Sequence, residues 1–415
     1  MLLPEDKANL LAITWTEKQM LPPAGEHVFP LSETNGTLLD DAVLRSRWAL
    51  KHLLHLDTSK ATGPDALSAR ILKTVAHEIF MVIAILCRRI LTEGRWPKTW
   101  SVHNLVPIYK RDSVFDANHY RGVHITSILS KVAERVIGTP LLHMFESHNC
   151  FGKHQWAYRK HRSSKDLITL LTCAWIFAFC TGKCIGAFLS DISGAFDKVF
   201  TPYFLSKFRD SGLGSTYLRF LKSYLAPRTG NVCVGGKKSF DFVLADQVFQ
   251  GTVLGPPLWN VFFKDVVTSI VDPMRAKSFA DDLNAFEIFD RNCASDEIMS
   301  KLRVCQSRIH EWGRKNRVSF DPAKEAFVIL HPRHGVGATF KLLGLMVDTR
   351  LSMEEAVHAI LQKARPKMRA LLRTRGHYSV KDMFVQYKTH ILGLLEANPG
   401  GIYHATTLGP IDRLQ

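Results

Sequence analysis

Two short stretches of this 415-residue chain run from apolar residues straight into carboxylates. In Ser278-Phe-Ala-Asp-Asp-Leu-Asn-Ala-Phe286 a pair of acids lies between runs that alternate as strands do, which predicts a hairpin with Asp281 and Asp282 at its tip. Adjacent carboxylates at a partly buried tip repel each other and lose hydration, so one pKa must rise unless a cation compensates. An isolated Asp-Asp turn is usually solvated, but a second segment shifts the balance. In Ala187-Phe-Leu-Ser-Asp-Ile-Ser-Gly-Ala-Phe-Asp-Lys198 an apolar strand leads directly into Asp191. Two such strands side by side would cage hard cations with oxygen ligands. Two divalent cations there can clamp the attacking and leaving oxygens of a phosphoryl transfer. Because neighbouring side chains on a strand face opposite ways, Asp281 is expected to share the metals with Asp191 while Asp282 plays the lesser role. Asp197 reads as a helix-start or salt-bridge residue.

These acids need elements to hold them. Strand-like runs at 184–191, 231–234 and 277–289 alternate with helical stretches at 202–225 and 258–270, a mixed α/β or α+β plan. Upstream, helical spacing recurs at 43–54, 67–90, 127–148 and 167–180, with a strand-like run at 104–109. Residues 21–40, with Pro22, Pro23, Gly25, Pro30 and Gly36, read as a loose arm. Downstream, Ile298, Leu302, Cys305, Ile309 and Trp312 draw one apolar stripe on a helix. Two further strands at 326–331 and 339–347 precede a helical stretch from about Met353.

Charge narrows the partners. Lys and Arg number 54 against 38 Asp and Glu, a net charge of +16 and a pI near 9.5, which favours polyanions and nucleic acid first. The eight cysteines form no C-x-x-C pair, so a zinc ribbon is not written here, and reduced, mostly buried thiols are expected. Such thiols suggest the cytosol or nucleus without deciding between them. The first ten residues lack a signal peptide's apolar stretch. The longest apolar run, 167–180, is too short to span a bilayer and reads as a buried helix, so no membrane partner is expected.

An ordered series of segments resembles the reverse transcriptases, and among them the non-LTR (LINE-type) retrotransposon polymerases. Lys60-Ala-Thr-Gly-Pro-Asp65, Leu105-Val-Pro-Ile-Tyr-Lys110, Asn118-His-Tyr-Arg-Gly-Val123, Ser130-Lys-Val-Ala-Glu134 and Gln155-Trp-Ala-Tyr-Arg159 are similar to the family's fingers segments. Asp191-Ile-Ser-Gly-Ala-Phe196, Gln250-Gly-Thr-Val-Leu-Gly-Pro256, Phe279-Ala-Asp-Asp282, Trp312 to Lys324 and Phe340-Lys-Leu-Leu-Gly344 resemble its palm motifs in order. The resemblance implies a right-hand polymerase fold: an N-terminal arm over 1–40, fingers over 41–180, a palm over 181–350 interleaved with the fingers, and a helical thumb over 351–415. It implies an RNA-directed DNA polymerase that takes an RNA template, a DNA primer and dNTPs, and two Mg²⁺ ions, with Mn²⁺ as an alternative. Asp191, Asp281 and Asp282 match the catalytic, metal-holding carboxylates. Lys110 and Arg121 match residues that grip the triphosphate, and Phe196 an aromatic gate under the sugar that favours dNTPs. Gln250 and Gly251 match the nucleotide pocket, where missing side chains at Gly251 and Gly255 let backbone approach the substrate. Lys324 matches a lysine proposed as general acid for the leaving pyrophosphate.

Some positions depart from the family's usual residues. Gly122 stands where Pro is usual, Trp156-Ala157-Tyr158 replaces Phe-Gly-Phe, and Pro257 and Trp259 replace Leu and Phe. No stretch before residue 40 or after 400 is long enough for the endonuclease such elements usually carry, so a fragment of a longer frame or a degenerate copy is one expectation. Past the palm, Lys363, Arg365, Lys367, Arg369, Arg373 and Arg375 put six bases in thirteen residues. If helical from Pro366, Arg369 and Arg373 share a face while Met368, Leu371 and Leu372 turn to a core. Lys363, Lys367, Arg369, Arg373 and Arg375 then suit a thumb that tracks phosphates, which the end at Gln415 could leave incomplete. The alternative is an inactive retroelement remnant that only binds nucleic acid. A telomerase or an intron maturase would need extensions not seen here, and Phe196 argues against an RNA-dependent RNA polymerase.

Overall fold

A computed structural model describes residues 3–22, 36–110, 113–192, 194–397 and 402. The chain divides into two interleaved compact units. The first comprises Met1–Lys153, Ile192–Asp265 and His310–Phe320, and the second His154–Asp191, Val266–Ile309 and Asp321–Gln415. Helices and sheet are mixed in both, which is an α+β fold.

The first unit is built on a five-stranded sheet. The Val102–Tyr109 strand pairs antiparallel with Tyr120–Ile125 and parallel with Arg228–Val234, which also carries the short strands Lys237–Lys238 and Phe242–Leu244. The Ala76–Glu93 helix packs against the helices Ser46–Leu54, Ile128–Ser147 and Ser215–Tyr224. Ahead of the stretch read as a loose arm, Pro4–Lys18 is a helix with Pro at its first turn and Glu5 and Asp6 facing the positive end of its dipole. Its Ala8, Leu11, Ala12 and Trp15 are buried against Leu105, Val232, Phe242, Leu244 and Phe249. Burying a side chain such as Leu11 contributes about 1.5 to 3 kcal/mol. The Trp15 ring covers Gly122, where an added Cβ would come within 2.9 Å of it. The glycine that departs from the family's usual proline therefore makes room for this helix. Part of the loose-arm reading, residues 23–35, lies outside the described residues. Gly36 and Leu38 bridge to Gly214 and Leu213.

The second unit centres on a four-stranded antiparallel sheet in the order Arg275–Phe279, Asp282–Asp290, Lys183–Ser190, Ala326–Leu330. The central Lys183–Ser190 strand is buried from Cys184 to Ser190, as its nearly continuous apolar sequence requires of a strand covered on both faces. Gly186 lets the Ser295–Asn316 helix approach that strand, since a Cβ there would meet Ile298 at 2.5 Å. On the sheet, Leu167, Ile168, Leu171 and Trp175 of the Ser164–Cys180 helix join Ile185, Ala187, Phe286 and Leu330 in the core. This helix is buried on one face only: Phe177 is 70% exposed, and Cys173 and Cys180 are exposed, so the buried-helix reading holds for one face. All eight cysteines are free, and four of them are buried. Among the described residues no helix is long and apolar enough to cross a membrane.

Candidate active site

The hairpin forms where the alternation places it. Phe279 pairs with Asp282, leaving Ala280 and Asp281 as a two-residue turn. The next strand pairs with the strand that ends before Asp191, and Ser190 lies opposite Leu283. One step further along the same register sets Asp191 across from Asp282. Asp281 lies in the turn and not on a strand, so strand alternation does not rank the two acids. Asp282 is the first residue of the next strand. Burial, then repulsion from Asp281 and Asp191, push its carboxyl up to about 7, with Lys324 and Lys341 pulling the other way.

Lys324 belongs to the same cluster. It ends the short Pro322–Lys324 turn, in which the Asp321 side chain accepts from the Ala323 N–H at 3.2 Å. The Asp321 N–H donates to the Asp191 carbonyl at 3.1 Å, tying the turn to the end of the central strand. The Lys324 ammonium is ion-paired with Asp191, and with Asp321 at 3.3 Å. Burial disfavours its charge, but the hydrogen bonds and attraction of Asp191 and Asp321 win and raise its pKa. Pro322 marks a turn that local sequence alone would leave on the surface; the Asp321 N–H bond to Asp191 and the Lys324 ion pair tie that turn to the site.

The donor set suits a hard divalent cation. Asp191, Asp281 and Asp282 offer only oxygen ligands, and burial together with the repulsion of Asp281 and Asp191 disfavours the Asp282 carboxylate, which a bound cation would relieve. Among the described residues, no three His, Cys, Asp or Glu side chains already converge into a ready ligand set.

A second cluster lies in the first unit. The Gln250 carboxamide donates to both oxygens of Asp197, at 3.2 and 3.4 Å. Burial raises the Asp197 pKa, while Lys110, the Gln250 bond, Arg121 and Lys18 lower it. Lys110, Arg121 and Gln250, matched separately to the nucleotide pocket, thus share one acidic neighbour. Asp197 starts no helix, since the following one begins at Thr201. Phe196 is half-buried, its ring 5.7 Å from that of Trp259 and its carbonyl accepting from Val248 at 2.8 Å.

The glycines here answer to the protein's own packing. Gly251 has φ +98°, and a Cβ there would stand 2.7 Å from the His124 carbonyl, while at Gly255 it would meet Thr252 at 2.9 Å. Sequence reasoning gave no role to Glu134. It is fully buried, and its carboxylate accepts from the N–H groups of Val253 and Leu254 (2.6 and 3.1 Å) and from the Tyr224 hydroxyl (3.1 Å), so it holds the Gln250–Gly255 loop. Burial raises its pKa against the pull of Arg228 and these bonds. His124 anchors the loop from the other side, donating its N–H to the Gln250 carbonyl at 3.0 Å.

The basic cluster lies on the Glu354–Arg373 helix and just beyond it, in the second unit. That helix starts at Glu354, so Pro366 is inside it rather than at its first turn. Lys363, Arg365, Lys367, Arg369, Arg373 and Arg375 are all exposed. Met368 and Leu371 pack on the core as expected, but Leu372 is 50% exposed.

Comparison with known proteins agrees with this arrangement. The reverse transcriptase (RNA-dependent DNA polymerase) family matches residues 108–371. The chain belongs to that family, and within it to the non-LTR type. It is 27% identical over 334 residues to an RNA-directed DNA polymerase from mobile element jockey of Drosophila melanogaster, covering 75% of this chain and 36% of that protein. To a probable RNA-directed DNA polymerase from transposon BS of the same species it is 25% identical over 343 residues, 76% of this chain and 37% of the relative. A retrovirus-related Pol polyprotein from the type-1 retrotransposable element R2 of Popillia japonica is 30% identical over 236 residues, 51% of this chain and 38% of the relative. The chain spans little more than a third of the length of these curated relatives.

Proposed function

We propose that this chain is the polymerase segment of a non-LTR retrotransposon protein, an RNA-directed DNA polymerase that adds dNTPs to a primer 3′-hydroxyl on an RNA template. The observation that carries this reading is the strand register that brings Asp191 across from the Asp281-Asp282 turn, where burial, then Asp281 and Asp191, push the Asp282 carboxyl up to about 7. Asp191, Asp281 and Asp282 would hold two divalent cations, Mg²⁺ or Mn²⁺. Such ions neutralise developing charge and align the attacking and leaving oxygens. Lys324 Nζ, whose protonated form Asp191 and Asp321 favour, would protonate the departing pyrophosphate. Lys110 and Arg121 bind the triphosphate, Gln250 and Gly251 line the nucleotide pocket, and Phe196 discriminates against a ribose 2′-hydroxyl. In this reading 41–180 form the fingers, 181–350 the palm and 351–415 the thumb.

The test is primer extension on an RNA template with purified protein, dNTPs and Mg²⁺. Asp191→Asn or Asp281→Asn should abolish extension while leaving hybrid binding within about twofold. Undiminished extension by either variant overturns the assignment. Hybrid binding with no extension by the unmodified protein favours the remnant.

A further inference from the structure

Gln155 has no role in the site described so far, although it begins one of the family-like segments. It is fully buried, and its carboxamide meets one residue twice. Nε2 donates to the Ala280 carbonyl at 3.1 Å, and Oε1 accepts from the Ala280 N–H at 2.9 Å. Oε1 also faces the N–H groups of Trp156 and Ala157, at 3.1 and 3.0 Å. Three N–H groups around Oε1 and a carbonyl against Nε2 fix which end of the amide is which.

The backbone is fastened as firmly. Gln155 bridges to Ser278, the Trp156 N–H donates to the Ser278 carbonyl at 2.9 Å, and the Ser278 N–H donates to His154 at 2.9 Å. Arg162 Nη1 donates to the Gln155 carbonyl at 2.8 Å.

The residue so held is unusual. Ala280 has φ +58°, the left-handed region that alanine disfavours, and it immediately precedes Asp281 and Asp282. A side chain that offers a donor and an acceptor side by side replaces the missing strand partner at this turn. Glutamate lacks the donor, and asparagine is one methylene shorter.

We infer that Gln155 is a positioning residue for the Asp281-Asp282 turn: its carboxamide pins Ala280 in the left-handed conformation and thereby fixes the directions of the two carboxylates. The inference rests on the reading of those carboxylates as catalytic, but the clamp can be measured without activity.

The experiment compares the full chain with Gln155→Met, Ala280→Gly and the double variant, by primer extension and by hydrogen exchange over residues 279–283. Gln155→Met should lower kcat about 10- to 100-fold with dNTP KM and hybrid affinity within about twofold. Exchange at 280–282 should accelerate at least about tenfold. Glycine takes φ > 0 freely, so adding Ala280→Gly should recover at least about threefold of the lost kcat. A buried glutamine that only filled space would lower Tm and extension together, and Ala280→Gly would restore neither; that result overturns the inference. So does unchanged exchange at 280–282. If Gln155→Met does not fold, Gln155→Glu, equal in size but without the donor, carries the same comparisons. An unmodified protein that extends no primer overturns the polymerase reading, and exchange then still decides the clamp.

Discussion

Gln250 donates its carboxamide to both oxygens of Asp197, 53 positions away in sequence, and the cations of Lys110, Arg121 and Lys18 surround the same carboxylate. In the proposed nucleotide pocket Asp197 would both orient Gln250 and compete with a triphosphate for Lys110 and Arg121. Asp197→Asn keeps an acceptor for Gln250 but removes the charge, so dNTP KM should fall about three- to tenfold at low salt, tenfold being about 1.4 kcal/mol. Asp197→Ala leaves Gln250 unheld and should raise KM instead. Steady-state extension kinetics check both; equal shifts in one direction would show that Asp197 does not separate these roles.

Phe196 lies five residues after Asp191 in sequence, with Trp259 packed against its ring. Phe196→Ala should open the sugar pocket and reduce discrimination between dNTP and rNTP by about 100-fold, with dNTP extension within about fivefold. Trp259→Phe, which restores the family's usual residue, should preserve discrimination. Competition assays with paired nucleotides measure this, and equal selectivity in Phe196→Ala and the unmodified protein removes the gate role.

What the sequence disclosed and what it concealed follow from the range of the interactions. The Asp281-Asp282 tip was legible because strand alternation flanks it within a few residues. The Pro4–Lys18 helix was not, because its buried face is Ala8, Leu11, Ala12 and Trp15, too weakly apolar to stand out. The bonds from Gln155 to Ala280 and from Glu134 to Val253 span more than a hundred residues, and no local pattern announces them. Pro366 read as a helix start because proline is favoured there, whereas the helix already runs from Glu354 and packs through Val357, Leu361 and Ala364. The same apolar count that placed Met368 and Leu371 towards the core overreached at Leu372.

His103 and His124 predict a pH effect on stability. Their Nδ1 atoms are 2.9 Å apart, and the Arg228 Nη1 lies 2.9 Å from the other His103 nitrogen. Burial, and then Arg228, lower both pKa values, that of His124 to about 3. Below about pH 6.5 the unfolded chain binds protons that the folded histidines refuse, so stability is complete above that pH and declines as pH falls towards 3. His124 alone should contribute about 2 kcal/mol of loss between pH 6.5 and 5, and His103 acts in the same direction. Urea unfolding across that window, compared with His124→Asn, should show a shallower decline in the variant. A parallel decline would mean that these histidines do not set the slope.

The exposed arginines Arg369 and Arg373 stand one helical turn apart on Glu354–Arg373 and test the thumb reading together with the remnant alternative, because binding can outlast catalysis. Non-specific phosphate contacts release counterions, so affinity for an RNA/DNA hybrid should fall by roughly 0.7 to 0.9 log units per log unit of salt for each contact. Replacing both arginines with Gln should reduce that slope by about one to two contacts' worth and shorten the products made per binding event. The carboxylate cluster contains neither residue, so single-nucleotide addition at saturating hybrid should stay within about twofold. Binding titrations from low to high salt, run beside single-turnover extension, read both quantities on one preparation. If the arginines are merely solvated, slope and product length will match the unmodified protein. A changed slope with no extension by either form favours a chain that binds nucleic acid without copying it.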